Sequence, residues 1–214
     1  MNTELLLIRH GETEWNIKGK FQGCHDINLS NQGIRQAQFL KEKLNYKFDF
    51  IYTSPLIRAI KTAKIICKDN NNNLKPIVEN DLREINFGKW EGLTIDEIKN
   101  NYPIQYQSWA TDKITAPLVG GDLSLRKASI RARDAIIKIA KLHKGKRIVI
   151  VSHGGILKAG LIGIFNWDMS MYHKIRLGNT SISKIVFNDD FKPLIMLLND
   201  TSHLPQNCAV RSYI

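Results

Sequence analysis

Two unbroken apolar runs, Leu5-Leu6-Leu7-Ile8 and Ile148-Val149-Ile150-Val151, stand out against an otherwise mixed chain. Neither alternates with polar residues, so each predicts an interior strand covered on both faces. Much of the rest has helical spacing. Ser30 is placed to cap a helix whose apolar positions are Ile34, Ala37, Leu40 and Leu44. The chain returns as a strand from Phe48 to Thr53. Pro55, a favoured first-turn residue, opens a second helix to about Cys67 that is expected to bury Ile57, Ile60, Ala63 and Ile65 and to carry Arg58 in its first turn. A short strand is expected near Pro76 to Val78. Thr94 with Glu97 three residues on is a capping-box pattern for a short helix ending before Pro103. The longest stripe runs from Leu123 to about His143 through Leu125, Ala128, Ala132, Ala135, Ile136, Ile139 and Leu142. A further helix follows from Gly154 to about Phe165, then strands over Ser181 to Phe187 and Leu194 to Leu198. This alternation predicts an α/β fold of three layers, a mostly parallel central sheet with helices on both faces.

Length and composition add that one domain, residues 1–214, suffices: 43% of the 214 residues are hydrophobic. No repeat, linker or secretory leader is visible, and the polar stretch Asp69 to Asn73 reads as a turn. Apolar stretches are strand-length, so no membrane span is expected. Cys24, Cys67 and Cys208 are odd in number and lack metal-type spacing, which suits a reduced, cytoplasmic protein. A formal charge of +11 invites nucleic acid as a partner. The distribution argues against it: bases are interspersed with acids, as in Lys41-Glu42-Lys43, and the densest group, Lys141 to Arg147, ends a helix where cations offset the dipole. A positive field equally attracts a small phosphorylated anion.

The chemistry lies just beyond the two apolar runs. Arg9-His10-Gly11-Glu12-Thr13-Glu14-Trp15-Asn16 follows the first, and Ser152-His153-Gly154-Gly155 follows the second. Ligands of open α/β sheets bind outside the carboxyl ends of such strands, so two imidazoles are expected over one site. A single strand-end histidine is more often structural. Four further segments change the balance: Gln22-Gly23, Thr53-Ser54-Pro55-Leu56-Ile57-Arg58-Ala59, the loop Leu82 to Gly92 containing Glu84, and the tail Leu198 to Leu204. In order and spacing the set, from Ile8 to Leu204, resembles the histidine phosphatase superfamily, in the branch named for cofactor-dependent phosphoglycerate mutase.

The resemblance implies a phosphomonoesterase. His10 would attack phosphorus as a neutral imidazole and form a phosphohistidine, later hydrolysed by water. Arg9 and Arg58 would disfavour the imidazolium and grip the phosphoryl oxygens, with His153 as a further donor, strongest if protonated. The other ring nitrogen of His10 is expected to donate to a backbone carbonyl. Asn16, Gln22, Gly23 and the Gly154 N–H would complete the substrate-binding cradle. Glu84 corresponds to the acid that protonates the leaving oxygen, and an adjacent phosphate dianion would favour its protonated form. Glu12 and Glu14 are assigned to structure. No metal and no cofactor are expected.

Mutases of the family carry arginines in an insert after the acid, whereas from Ile85 to Leu125 this chain has no Arg, only Lys89, Lys99 and Lys113. Hydrolysis is therefore expected over a mutase reaction; a non-catalytic phospho-ligand module is the other alternative. Trp90, Tyr102, Tyr106 and Trp109 in that segment are core or pocket candidates. Gly121-Asp122-Leu123 stands where family phosphatases commonly have Gly-Glu-Ser, leaving the outer pocket unassigned. The loop and tail are similar to those of α-ribazole phosphatases of cobalamin synthesis and broad-specificity relatives. The sequence leaves open the substrate, the oligomeric state, a homodimer included, and whether Cys24 lines the site.

Overall fold

In the computed structural model, which describes residues 1–45, 47–68, 74–111, 118–122 and 124–208, the two apolar runs lie side by side at the centre of a six-stranded sheet. Its strands are β1 (Thr3–Arg9), β2 (Phe50–Thr53), β3 (Ile77–Val78), β4 (Arg147–Ser152), β5 (Ile182–Phe187) and β6 (Pro193–Asp200), in the order β3-β2-β4-β1-β5-β6. β1, β2, β3 and β4 run parallel; β5 is antiparallel to both neighbours, so it alone opposes the rest. The register pairs Leu7 with Ile150 and Arg9 with Ser152. His10 and His153 therefore leave adjacent strands at the same level.

The helices are α1 (Glu14–Ile17), α2 (Asn31–Leu44), α3 (Ile57–Cys67), α4 (Ile95–Asn101), α5 (Pro103–Thr111), α6 (Leu125–Leu142) and α7 (Gly154–Phe165). Successive residues of a strand point to opposite faces. Leu5, Leu7, Ile148 and Ile150 accordingly pack with α6 and α7, while Leu6, Ile8, Val149 and Val151 pack with Leu40 of α2 and Ala59, Ala63 and Ile66 of α3. Unalternating runs were what this double burial required. Gly160 lets α7 press on α6: a Cβ there would stand 3.0 Å from Ile136 Cδ1. Ser30 and Ser124 cap α2 and α6 by accepting from the N–H groups of Gly33 and Lys127, and Thr94 with Glu97 forms the expected box on α4. Each such cap is worth about 1 kcal/mol.

Three helical faces differ from expectation. Ile34 is 38% exposed because α2 turns Gly33, Gln36 and Ala37 inward, and at Gly33 a Cβ would lie 2.1 Å from the Glu12 carbonyl. Leu142, the last residue of α6, is exposed. In α3, Ile57, Ile60 and Ile65 are only partly covered, and Arg58, Ala59, Thr62, Ala63 and Ile66 face in. Two alanines bring the helix close to the sheet, and that rotation buries Arg58. α5, begun by Pro103, was not anticipated. The polar turn 69–73, Lys113 and Leu123 lie outside the described residues.

Candidate active site

The His10 and His153 rings meet with centroids 5.1 Å apart, tilted by 58°. His10 Nδ1 lies 2.7 Å from the Gly11 carbonyl. A carbonyl only accepts, so Nδ1 carries the proton and Nε2 keeps its lone pair. The loop before β5 fixes the backbone around this ring. Asn179 Nδ2 donates both to the His10 carbonyl, at 3.0 Å, and to Asn16 Oδ1, at 3.2 Å. Thr180, with φ 55, donates its N–H to the Arg9 carbonyl at 2.9 Å. A left-handed threonine costs on the order of 1 kcal/mol. It turns the chain so that both groups reach His10. Burial, then Arg58 and Arg9, push the His10 pKa well below its usual value, against a smaller opposing effect of the Gly11 bond. The ring is neutral at pH 7.

His153 is fully buried behind His10, with Nε2 2.6 Å from Ser54 Oγ. It does not line the cavity. Burial first, then Arg58 and the neighbouring His10, hold its pKa well below normal. The ring is therefore neutral, and His153 was expected as a donor that is strongest when protonated; an arriving anion would favour that form.

Both arginines are buried and partly committed. Arg9 Nη1 donates to the Leu177 carbonyl at 2.7 Å; its pKa falls to about 10, chiefly by burial, so it stays charged. Arg58 Nη1 donates to the His25 carbonyl at 2.6 Å and Nη2 to the Gly23 carbonyl at 2.7 Å. Each terminal nitrogen of Arg58 has a second hydrogen for a ligand. Gly23 has φ +50, and a Cβ would collide with the Glu91 carboxylate. Glu91 Oε1 accepts from Cys24 N and Phe87 N, 3.0 Å each, joining the Gln22-Gly23 turn to the Glu84 loop.

Glu84 sits on the start of α7. Its carboxylate accepts from Ile156 N at 2.7 Å, Ile85 N at 2.9 Å and Gly155 N at 3.1 Å. The helix N-terminus favours negative charge there. At Gly155 a Cβ would lie 2.8 Å from Glu84 Oε1, which is why glycine follows Gly154. Arg131 of α6 donates to the carbonyls of Asp81 and Arg83, 2.8 Å each, and pairs with Asp122 at 3.5 Å. Asp122 also accepts from Asn86 N at 2.8 Å. Asp122 thus braces the Glu84 loop, and Ser124 caps α6.

These groups line one end of a cavity of about 430 Å³: Arg9, His10, Asn16, Gln22, Gly23, Arg58, Glu84 and Gly154. Tyr106 and Trp109 from α5 line its outer part with Phe21 and Phe87, whereas Trp90 is core, 0% exposed. Cys24 is half-buried, its thiol donating to the Glu84 carbonyl at 3.7 Å and accepting from Arg83 Nη1 at 3.6 Å, and it is not among the lining residues. Sequence reasoning missed Lys20, Lys158, Tyr172, Lys174 and Arg176, all on the cavity wall. Helical spacing after Gly154 signals Lys158; nothing local signals the others. Among the described residues no three His, Cys, Asp or Glu side chains are grouped to hold a metal ion, and no helix is long and apolar enough to cross a membrane.

Comparison with known proteins covers nearly the whole chain. The family model of the histidine phosphatase superfamily (branch 1) matches residues 5–201. The metal-independent phosphoserine phosphatase of Arabidopsis thaliana is 33% identical over 94% of this chain and 83% of its own. The crystal structure of phosphoserine phosphatase from Entamoeba histolytica with 3-phosphoglyceric acid superposes with a TM-score of 0.87 at 38% identity, covering 94% of this chain and 99% of that one. A putative alpha-ribazole-5'-P phosphatase from Escherichia coli gives 0.82 at 28% identity, over 92% and 96%.

Proposed function

This chain belongs to the histidine phosphatase superfamily, and on that premise we propose that it is a metal-independent phosphomonoesterase, one domain over residues 1–214, acting on a small phosphorylated metabolite through a phosphohistidine on His10. One observation carries the reading: a neutral His10 with Nε2 unprotonated, enclosed by two charged arginines beside a carboxylate. The phosphoryl dianion would sit between Arg9, Arg58, Asn16 and the Gly154 N–H, where its spreading charge is neutralised. His10 Nε2 attacks phosphorus as the ester oxygen leaves. Glu84 gives that oxygen its proton and then takes one from the water that cleaves the phosphohistidine. With two fixed guanidinium groups supplying the charge, this chemistry asks for no metal. The full set of acid, nucleophile and cradle favours turnover over mere binding.

Phosphoserine and α-ribazole phosphate enter as substrate candidates through the relatives named above. A mutase remains the second reading because Lys20, Lys158, Lys174 and Arg176, all outside the arginine-free segment 85–125, bring cations to the cavity. One enzyme sample tests both. Hydrolysis of p-nitrophenyl phosphate in excess EDTA is expected within about twofold of the untreated rate, since no step uses a metal. Given 3-phosphoglycerate and 2,3-bisphosphoglycerate, the same sample is expected to release phosphate faster than it exchanges 3- for 2-phosphoglycerate. Loss of activity in EDTA overturns the metal-independent mechanism; faster exchange makes it a mutase.

A further inference from the structure

We propose that Lys158 is a receptor for a carboxylate on the leaving group, so that the preferred substrates are phosphomonoesters of small hydroxy acids. The proposal rests on the phosphatase reading above and specifies its substrate class. Lys158 lies on α7 one turn beyond Gly154, and its side chain lines the cavity. Its ammonium stands 4.3 Å from the centre of the Tyr172 ring and makes no hydrogen bond or ion pair with a described residue.

Position decides what this cation meets. A Cβ on Gly155 would fall 2.8 Å from Glu84 Oε1 and 2.9 Å from Tyr172 Oη, so the carboxylate, the phenol and the Tyr172 ring beneath Lys158 gather around the first turns of α7. Glu84 faces the oxygen that leaves. A group beside Glu84 therefore faces the alcohol part of the substrate, while Arg9 and Arg58 hold the phosphoryl end. Burial lowers the Lys158 pKa to about 8, with Glu84 opposing and Arg9 adding to the fall. A half-buried ammonium is costly, and the Glu84 charge and the ring face offset only part of that cost. An anionic substituent on the alcohol completes the pairing.

The direct test compares 3-phosphoglycerate with glycerol 3-phosphate, which replaces the carboxylate by a hydroxymethyl group and is otherwise alike. The native enzyme is expected to favour 3-phosphoglycerate. In Lys158→Gln, kcat/KM for 3-phosphoglycerate is expected to fall about 10-fold or more, mainly through KM, as loss of a charge-assisted bond implies. Glycerol 3-phosphate and p-nitrophenyl phosphate should change by less than about threefold, and Lys158→Arg should restore the preference. Equal losses on all three substrates, or no native preference for 3-phosphoglycerate, overturn the proposal. A preference only for bisphosphorylated alcohols overturns it too, making the receptor one for a second phosphate. If the native enzyme hydrolyses none of these esters, the phosphatase reading has failed. Calorimetric binding of 3-phosphoglycerate to the native protein and Lys158→Gln then decides the role of Lys158 separately: weaker binding by the variant supports it, equal binding ends it.

Discussion

His10→Ala is expected to lower kcat on p-nitrophenyl phosphate by at least about 1,000-fold, because the covalent step has no other nucleophile at this strand end. His153, the nearest imidazole, is fully buried and bonded through Nε2 to Ser54, so it cannot substitute. Ligand binding is expected to persist. Arg9 and Arg58 are anchored through the carbonyls of Leu177, His25 and Gly23, none of which depends on the imidazole. Calorimetry with orthovanadate separates the two properties: binding within about tenfold of native alongside lost turnover identifies a chemical role. If the variant keeps more than a few per cent of the native rate, His10 is not the nucleophile.

The second large effect belongs to Glu84→Gln. An alkyl phosphate leaves as a strongly basic alkoxide and needs its proton, whereas p-nitrophenolate departs with little help. Turnover of an alkyl phosphate is expected to fall about 100-fold, and that of p-nitrophenyl phosphate less than about 10-fold. A glutamine also faces the N–H groups of Gly155 and Ile156 with an amide that can accept through only one atom. That mismatch disturbs both substrates alike and cancels in their ratio. Equal losses would reduce Glu84 to a support for α7.

The extent to which the sequence foretold these groups follows from what each signal encodes. β1 and β4 were legible because burial on both faces leaves no polar alternation, and with them came the strand-end histidines. Their register was not legible, since nothing local says that Arg9 stands opposite Ser152. The α3 stripe went wrong because its isoleucines outweigh its alanines in a hydrophobic pattern, although close approach to the sheet selects Ala59 and Ala63. Arg58 was visible as a motif residue; its anchoring on the Gly23 and His25 carbonyls is a tertiary fact. α5 escaped notice because its apolar and polar residues form no stripe, and Tyr106 and Trp109 reach the cavity only through that helix. Asn179 offered no sequence cue at all, being one of many loop asparagines until the turn at Thr180 carries its amide to His10 and Asn16.

The central claim is that phosphate passes through His10. Rapid mixing of the native protein with a ³²P-labelled phosphomonoester, quenching in base and digestion, is predicted to yield an acid-labile, base-stable label on the peptide bearing His10, absent from His10→Ala. Label on another residue, or none under conditions where the native enzyme turns over with a burst, would contradict the account.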